Sequence, residues 1–511
     1  MTADLNPSKE RRSLRADTLA ASVVILLVVT VVQRSIGFGR GVLFCRWLSP
    51  ETLGEWEMAY GFLMLAAPLA VLGVPGSFGR YAEHYRQRGH LRTFLHRAAG
   101  WTAVCTLVTV LLMEWFAPEL SLLVFGSRAY EGSMRVIGLC LVSIILHHTL
   151  TAVLTAIRLY RIVSGINFAQ SLLFAGISLA LMWRRPEMIS ILYGYTLACL
   201  VASTGGIIWA WPALRHIDPP TEALAHSEFW GKLLRFAFFV WVTNLLTHLF
   251  AIVDRTMLVH YAHLTPAEAL DQIGHYHASR IIPILMVSIA ELMSGMVMPH
   301  LSHDWELGRR AEVSSRLNLA IKLTSLGMIL FGACVIAGGS LLFDVVLEGR
   351  YNLGLQVLPW TVAGCVIYSV YLIAQNYLWC AERNWLQGVP LVLGLVANVL
   401  LNLALLPTLG LYGCALAMAG GACVCLVAVL ALNRRHGMVV DRGVWLLAFA
   451  PLSLGLGTWL AVLSSAIVAA VCVGSNLILT AADRDELKVF AVNSLGKVLP
   501  YFRRPRTAVG S

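Results

Sequence analysis

Arg34, Arg40, Arg255, Arg280 and Lys322 stand inside or at the ends of long apolar runs. A cation in hydrocarbon costs on the order of 3 kcal/mol or more, so such residues normally face a protein interior or a water-filled cavity. The chemistry they offer is anion binding. A guanidinium presents a planar fork of N–H donors that suits phosphate oxygens better than a lysine point charge does, and a lipid pyrophosphate is an anion of that kind. Arg34 stands nearest mid-span. Arg40 and Arg255 lie nearer the outer ends of their segments, where a long side chain can also snorkel to the interface, and Lys322 is expected to snorkel at the cytoplasmic end of its own. Six residues apart, Arg34 and Arg40 point about 120° away from each other on an ideal helix. Gly37, Gly39 and Gly41 could let the helix bend and turn both into one cavity. Among the acids, Asp254 and Glu291 each carry two readings, an ion pair or a coupling carboxylate that takes a proton or a sodium ion. His147, His148 and His248 read as polar packing or cavity lining, because nothing supplies a third and fourth metal ligand.

Such residues presuppose a bilayer, and the composition supplies it. The 511 residues are 58% hydrophobic and 13% charged, with a mean hydropathy of +0.73, well outside the range of soluble domains. A net charge of +10 is compatible with nucleic acid as a partner, but the cations cluster between apolar spans, so no nucleic acid is expected. The 11 cysteines fall in or beside apolar segments without disulfide or zinc spacing and read as small hydrophobes. Lys9, Arg11, Arg12 and Arg15 ahead of an apolar run imitate a secretory signal. That run is too long and contains Arg34 and Arg40, so it reads as a first span.

At about twenty apolar residues per crossing, the chain yields about fourteen transmembrane helices, with twelve to fourteen as the range, since the last apolar run is broken only near Ser453 to Gly457. The fold class is all-α integral membrane. Most lysines and arginines fall on one side if the N-terminus is inside, which places both ends in the cytoplasm and the protein in the cytoplasmic membrane as a multi-pass chain. The expected order is a cytoplasmic segment (1–17), six helices (18–212), a cytoplasmic loop (213–231), six more helices (232–436), two further helices (437–480) and a cytoplasmic tail (481–511). Asp483 and Glu486 at capping-box spacing, followed by Leu487, Phe490, Leu495, Val498 and Leu499, make that tail a short amphipathic helix. The Asp483-Arg484-Asp485 triplet reads as its start rather than as a metal-sugar-nucleotide site. No loop is long enough for a soluble catalytic domain, and phosphate loops and nucleophile elbows are missing, so no enzyme and no cofactor are expected. Any energy must come from an ion gradient, the membrane potential or substrate flow.

A weak repeat accompanies this pattern. After Arg40 the chain reads Leu48-Ser49-Pro50-Glu51 and Gly54-Glu55-Trp56, and after Arg255 it reads Leu264-Thr265-Pro266-Ala267-Glu268 and Gly274-His275-Tyr276. Two parallel repeats with a substrate path between them are a transporter arrangement. Arg34-Ser35-Ile36-Gly37-Phe38-Gly39-Arg40 with Leu48-Ser49-Pro50-Glu51 resembles the opening of bacterial polysaccharide repeat-unit flippases and, at its two arginines, of lipid II flippases. Asp254-Arg255, then Gly274-x-Tyr276-x-Ala278-x-Arg280, then Pro299-His300-Leu301-Ser302 is similar to the start of their second half. Ala397-Asn398-Val399-Leu400-Leu401-Asn402-Leu403, followed by Leu406-Pro407 and Gly410-x-x-Gly413-x-Ala415-x-Ala417, is similar to their eleventh and twelfth helices.

The resemblance implies the multidrug/oligosaccharidyl-lipid/polysaccharide exporter superfamily. Its fold is two six-helix lobes around a central cavity, here with two C-terminal helices added. It implies a flippase that carries a polyprenyl-pyrophosphate oligosaccharide by alternating access for cell-surface polysaccharide biosynthesis. The expected site is Arg34, Arg40, Arg255 and Arg280, with Asp254 and Glu291 as ion-pair or coupling groups. The expected partners are the lipid-linked saccharide, membrane lipids and a polysaccharide polymerase or glycosyltransferases. Two alternatives stay open: a cation-coupled multidrug exporter of the same superfamily, disfavoured because no carboxylate lies between Asp17 and Glu51, and a membrane glycan ligase or glycosyltransferase.

Overall fold

The computed structural model describes residues 19–215, 226–481 and 483–485, and the described residues form helices without a strand. The segment 1–17, most of the loop 213–231 and the tail beyond 485 lie outside the described residues. The chain opens with α1 (Leu19–Trp47), α2 (Pro50–Ala70), α3 (Phe78–Gln87), α4 (Leu91–Trp115) and α5 (Ala117–Phe125). Next come α6 (Glu131–Ala156), α7 (Tyr160–Met182), α8 (Met188–Arg215), α9 (His226–Tyr261) and α10 (Pro266–Glu306). The remainder holds α11 (Arg310–Ala337), α12 (Asn352–Ala374), α13 (Asn376–Cys380), α14 (Gly388–Leu409), α15 (Leu411–Arg435), α16 (Arg442–Phe449) and α17 (Thr458–Gly474).

Among the described residues, 10 helical stretches are long and apolar enough to cross a membrane, built on α4, α6 to α12, α14 and α15. The protein is therefore a multi-pass membrane protein. Each of the about fourteen expected segments falls on a helix. Of those outside the ten, α1 opens with an apolar run that reaches Arg34, α2 carries Glu51, Glu55 and Glu57 in its first half, and α16 and α17 are shorter. At 1.5 Å per residue the 41-residue α10 is about 60 Å long, twice a hydrocarbon core of about 30 Å, so its ends reach beyond it.

Helix starts come earlier than apolarity alone implies, because their first turns are polar and capped. Ser49 accepts a hydrogen bond from the Thr52 N–H at 3.2 Å and starts α2, with Pro50 in the first turn where its missing N–H is no loss. Thr265 and Glu268 bond each other's backbone N–H in a full capping box and start α10 in the same way, with Pro266 next. The last apolar run is two helices. From α16 the chain continues as a 3-10 turn, Ala450–Leu456, and breaks at Gly457, whose φ of +111° suits only glycine.

Two compact units are distinguishable. One holds the chain up to Arg40 with Gly73–Leu112 and Val136–Ala237, the other Gly41–Leu72, Met113–Arg135 and the chain from Phe238 onward. In the first, Tyr85 stacks on Phe94 at 5.3 Å and leans on Phe229 at 5.5 Å, while Gly194 and Gly206 let α8 close on Ser178 and Ile166 of α7. In the second, α12 is packed by α10, α11 and α15. There α2 crosses α10 at a pair of glycines: a Cβ on Gly54 would overlap the Leu270 carbonyl oxygen, and one on Gly274 would overlap that of Pro50. Small residues are what allow helix backbones to approach this closely, since hydrocarbon offers no hydrophobic drive for helix association.

Candidate functional site

The α2–α10 crossing brings polar side chains together one turn beyond its glycines. Glu57 of α2 is buried, and its two carboxylate oxygens have different partners. Oε1 lies 2.5 Å from Arg255 Nη1 of α9, and Oε2 lies 2.6 Å from His277 Nδ1 of α10. The Glu57 and Arg255 side chains are only 8% and 6% exposed. Gly61, one turn further along α2, makes room for this: a Cβ there would press on Ile252 and lie 3.6 Å from Arg255 Nη1. Arg255 also donates to the Ala251 carbonyl at 2.7 Å, while its Nε has no hydrogen-bond partner.

A second carboxylate adjoins the first. Asp254 Oδ2 accepts from the Tyr276 hydroxyl at 3.2 Å and Oδ1 from the Asn398 amide at 2.7 Å. Asn402, one turn further along α14, donates to Asn398 Oδ1 at 2.7 Å and orients that amide. Arg280, one turn after Tyr276, lies with its guanidinium 5.2 Å from the Tyr276 ring centroid and interacts through space with Glu57 and Asp254. Its Nε and Nη1 are buried and donate to nothing. The cluster therefore sets two guanidiniums against two carboxylates. Both carboxylates are engaged, whereas Arg280, beside the Cys365 thiol, has two buried N–H donors and Arg255 one without a protein acceptor.

The expected residues divide between the units. Arg255, Arg280 and Asp254 come together in the second, where the ion pair of Arg255 is with Glu57 and Asp254 is held by Tyr276 and Asn398. Arg34 and Arg40 belong to the first. Arg34 is exposed, and the Arg40 guanidinium lies 4.0 Å from the Phe174 ring centroid. Helix α1 runs unbroken through Gly37, Gly39 and Gly41. Glu291 is exposed on α10 rather than buried. His147 is held between Ser203 at 3.3 Å and Asn167 at 3.2 Å, a packing role. Among the described residues no three His, Cys, Asp or Glu side chains are placed to hold a metal ion.

Glu57 and His277 went unweighed in the sequence, yet a signal existed. Aligning Gly54-Glu55-Trp56 with Gly274-His275-Tyr276 sets Glu57 opposite His277, two ionisable residues at matching places inside apolar runs. Lys322 overturns its expectation. It does not snorkel: its side chain is 0% exposed and its ammonium lies 2.7 Å from Asp441 and 2.8 Å from Asp483. Asp483 and Thr480 bond each other's backbone N–H, while Glu486, the other half of the expected capping box, lies outside the described residues.

A family model described as polysaccharide biosynthesis protein matches residues 19–303. No curated protein matches the chain. Among solved structures, the lipid II flippase MurJ in an inward closed conformation is similar at a TM-score of 0.67 and 15% identity, covering 88% of this chain and 98% of that one. An inward-facing multidrug resistance MATE family transporter of the MOP superfamily is similar at a TM-score of 0.58 and 13% identity, covering 83% and 98%. A eukaryotic MATE transporter is similar at 0.56 and 11%, covering 88% and 97%. At such identities the likeness is one of fold: this chain has the fold of MurJ and the MATE transporters.

Proposed function

The chain belongs to the polysaccharide biosynthesis protein family, and from that premise we propose that it flips a polyprenyl-pyrophosphate oligosaccharide or polysaccharide repeat unit across the cytoplasmic membrane. The observation that carries this reading is Arg280, whose buried Nε and Nη1 have no acceptor, beside a second buried guanidinium, Arg255. A pyrophosphate supplies several acceptor oxygens of the matching sign and geometry. The saccharide then follows the head group through the protein while the polyprenyl tail stays in lipid.

The mechanism is alternating access between two six-helix lobes (18–212 and 232–436), with both termini cytoplasmic and a proton or sodium gradient as the drive. Arg34 and Arg40 offer further guanidiniums in the first unit, and a polymerase or glycosyltransferases act before and after. No step makes or breaks a covalent bond, so the protein works as a carrier and not as an enzyme.

A multidrug cation exporter is the second reading, and two buried carboxylates, Glu57 and Asp254, favour it. Both already have partners, an arginine and a histidine for one, a tyrosine and an asparagine for the other, which leaves less for a cationic drug than Arg280 leaves for an anion. Translocation of a fluorescent polyprenyl-pyrophosphate saccharide in proteoliposomes decides between them, with no gradient, a proton gradient or a sodium gradient imposed. Flipping by wild type that is lost in folded Arg34→Ala/Arg280→Ala supports the flippase. Unchanged flipping in that variant removes the charge-capture idea, and uptake of an organic cation without saccharide flipping moves the assignment to the exporter.

A further inference from the structure

Helix α7 has two faces of different use. One packs inside the first unit: Asn167 bonds His147 of α6 at 3.2 Å, the Phe174 ring lies 4.5 Å from that of Tyr195 on α8, and Ser178 adjoins Gly194 of α8. The other face carries a groove of about 430 Å³, within the range of about 300–1,000 Å³ that small-molecule sites occupy. Leu172, Gly176, Ile177, Ala180 and Leu181 line it, and it ends at Arg184. A Cβ on Gly176 would meet nothing within 4 Å, so no helix contact calls for a glycine there, although glycine weakens a helix interior. What the missing side chain leaves is room in the groove. Arg184 and Arg185 are exposed, and neither guanidinium has a hydrogen-bond or ion-pair partner among the described residues. The acid nearest in sequence, Glu187, is exposed as well. Trp183, 81% exposed at the same end, is the residue type that marks the head-group level of a bilayer.

These features fit one lipid molecule. From Leu172 to Arg184 is 12 residues, about 18 Å at 1.5 Å per residue, against about 15 Å for one leaflet of a hydrocarbon core of about 30 Å. The groove therefore runs from the bilayer middle to one surface. We propose that it binds an anionic phospholipid, with one acyl chain along Leu172 to Leu181 and the phosphate on Arg184 and Arg185. A phosphodiester offers acceptor oxygens to the planar guanidinium fork, and an anionic head group lacks the cation that would repel it. Two other occupants fit less well. A polyprenyl carrier chain is much longer than a leaflet is deep, so most of it would lie outside the groove. A second copy related by a twofold axis along the membrane normal would set Arg184 and Arg185 against their own counterparts. The site lies in the first unit, so the inference does not depend on the anion-capture reading of Arg255 and Arg280 in the second.

The test is native mass spectrometry of the purified full chain, counting retained phosphatidylglycerol and phosphatidylcholine of identical acyl chains over a concentration series. Wild type should hold one phosphatidylglycerol per chain, about five- to thirtyfold more tightly than phosphatidylcholine, the range for one or both arginines meeting the added charge. Arg184→Ala/Arg185→Ala should lose that preference while the groove still takes an acyl chain, so that both lipids bind alike. Gly176→Leu fills the groove without meeting a neighbouring helix and should lose the tightly held lipid altogether. Gly205→Leu, at another exposed glycine whose added Cβ meets nothing within 4 Å, should behave as wild type. Equal retention of both lipids by wild type and all three variants overturns the inference and leaves only unselective lipid contact. Displacement of the lipid by an equal concentration of a polyprenyl phosphate, or a dimer that disappears in Gly176→Leu, overturns it in favour of the carrier or of a second copy.

Discussion

Glu57 and His277 stand 220 residues apart, at matching places in two similar stretches of the chain, and their side chains meet at 2.6 Å. Gly54 and Gly274, three residues earlier in each stretch, share the same offset and lie at the same crossing. The repeat is thus a physical contact: α2 and α10 begin with the same Pro-bearing, hydroxyl-capped turn, close on each other at a glycine and meet again at an ionisable residue.

The glycine crossing sets the first prediction. Gly54→Ala and Gly274→Ala each place a methyl group on a backbone carbonyl and force α2 and α10 apart, at about 1–3 kcal/mol of stability. Thermal unfolding of the purified variants should show this loss, while Gly79→Ala and Gly176→Ala, whose added Cβ meets nothing within 4 Å, stay close to wild type. Equal effects at all four positions would refute the crossing.

The Glu57–Arg255 pair sets the second. Removing one partner of a buried ion pair leaves an uncompensated charge, so Glu57→Ala and Arg255→Ala should each lose about 3–5 kcal/mol, and the double variant much less than their sum. A double-mutant cycle on unfolding midpoints checks this. Strict additivity would mean that the pair does not form in the membrane.

Arg280→Lys is expected to fail where charge alone would suffice. The substitution keeps the positive charge but loses the fork whose Nε and Nη1 are idle, and a hydrogen bond to a charged group is worth about 1.5–3 kcal/mol, roughly tenfold to a hundredfold in binding. Titration of farnesyl pyrophosphate should show that loss with unchanged expression. Wild-type affinity in the lysine variant would reduce Arg280 to a point charge.

The C-terminal anchor should be acid-sensitive. Burial pushes the Asp483 carboxyl up, but the Lys322 ammonium and the Thr480 N–H and hydroxyl outweigh it and hold the group below its usual range. A depressed carboxyl contributes stability above its unfolded value of about 3.9 and loses it as the pH falls through its folded value, so the anchor is intact at neutral pH and weakens below about 4. Proteolysis at a site inserted after residue 485 should accelerate there in wild type, and Asp483→Asn should cleave at the faster rate already at neutral pH. A flat wild-type profile between pH 7 and 3 would dissociate Asp483 from the anchor.

Much of this protein was legible without coordinates. Apolar runs of about twenty residues can satisfy their backbone groups in lipid only as helices, so the all-helical, multi-pass class and the approximate placement of every segment follow from hydropathy. The two starts at Ser49-Pro50 and Thr265-Pro266 were visible as a repeat, and Arg255 and Arg280 were singled out because a cation in an apolar run needs an explanation. What went unread was who answers those charges. Glu57 stands with Glu51 and Glu55 near a helix start, the ion-pair and coupling readings of Asp254 name no partner, and the partners of Lys322, read as snorkelling, lie 119 and 161 residues further along the chain.

The division has one physical cause. Hydropathy is a property of a residue and its sequence neighbours, so solvent and secondary structure are decided locally. An ion pair or an idle donor is a property of two side chains within about 3 Å, and that distance depends on how closely two helices approach. Here the approach is set by Gly54 against Leu270 and Gly274 against Pro50. The sequence by itself determined that buried charges must exist in these helices; only the tertiary structure decided that Glu57 holds Arg255 and His277 while Arg280 is left with N–H groups to offer.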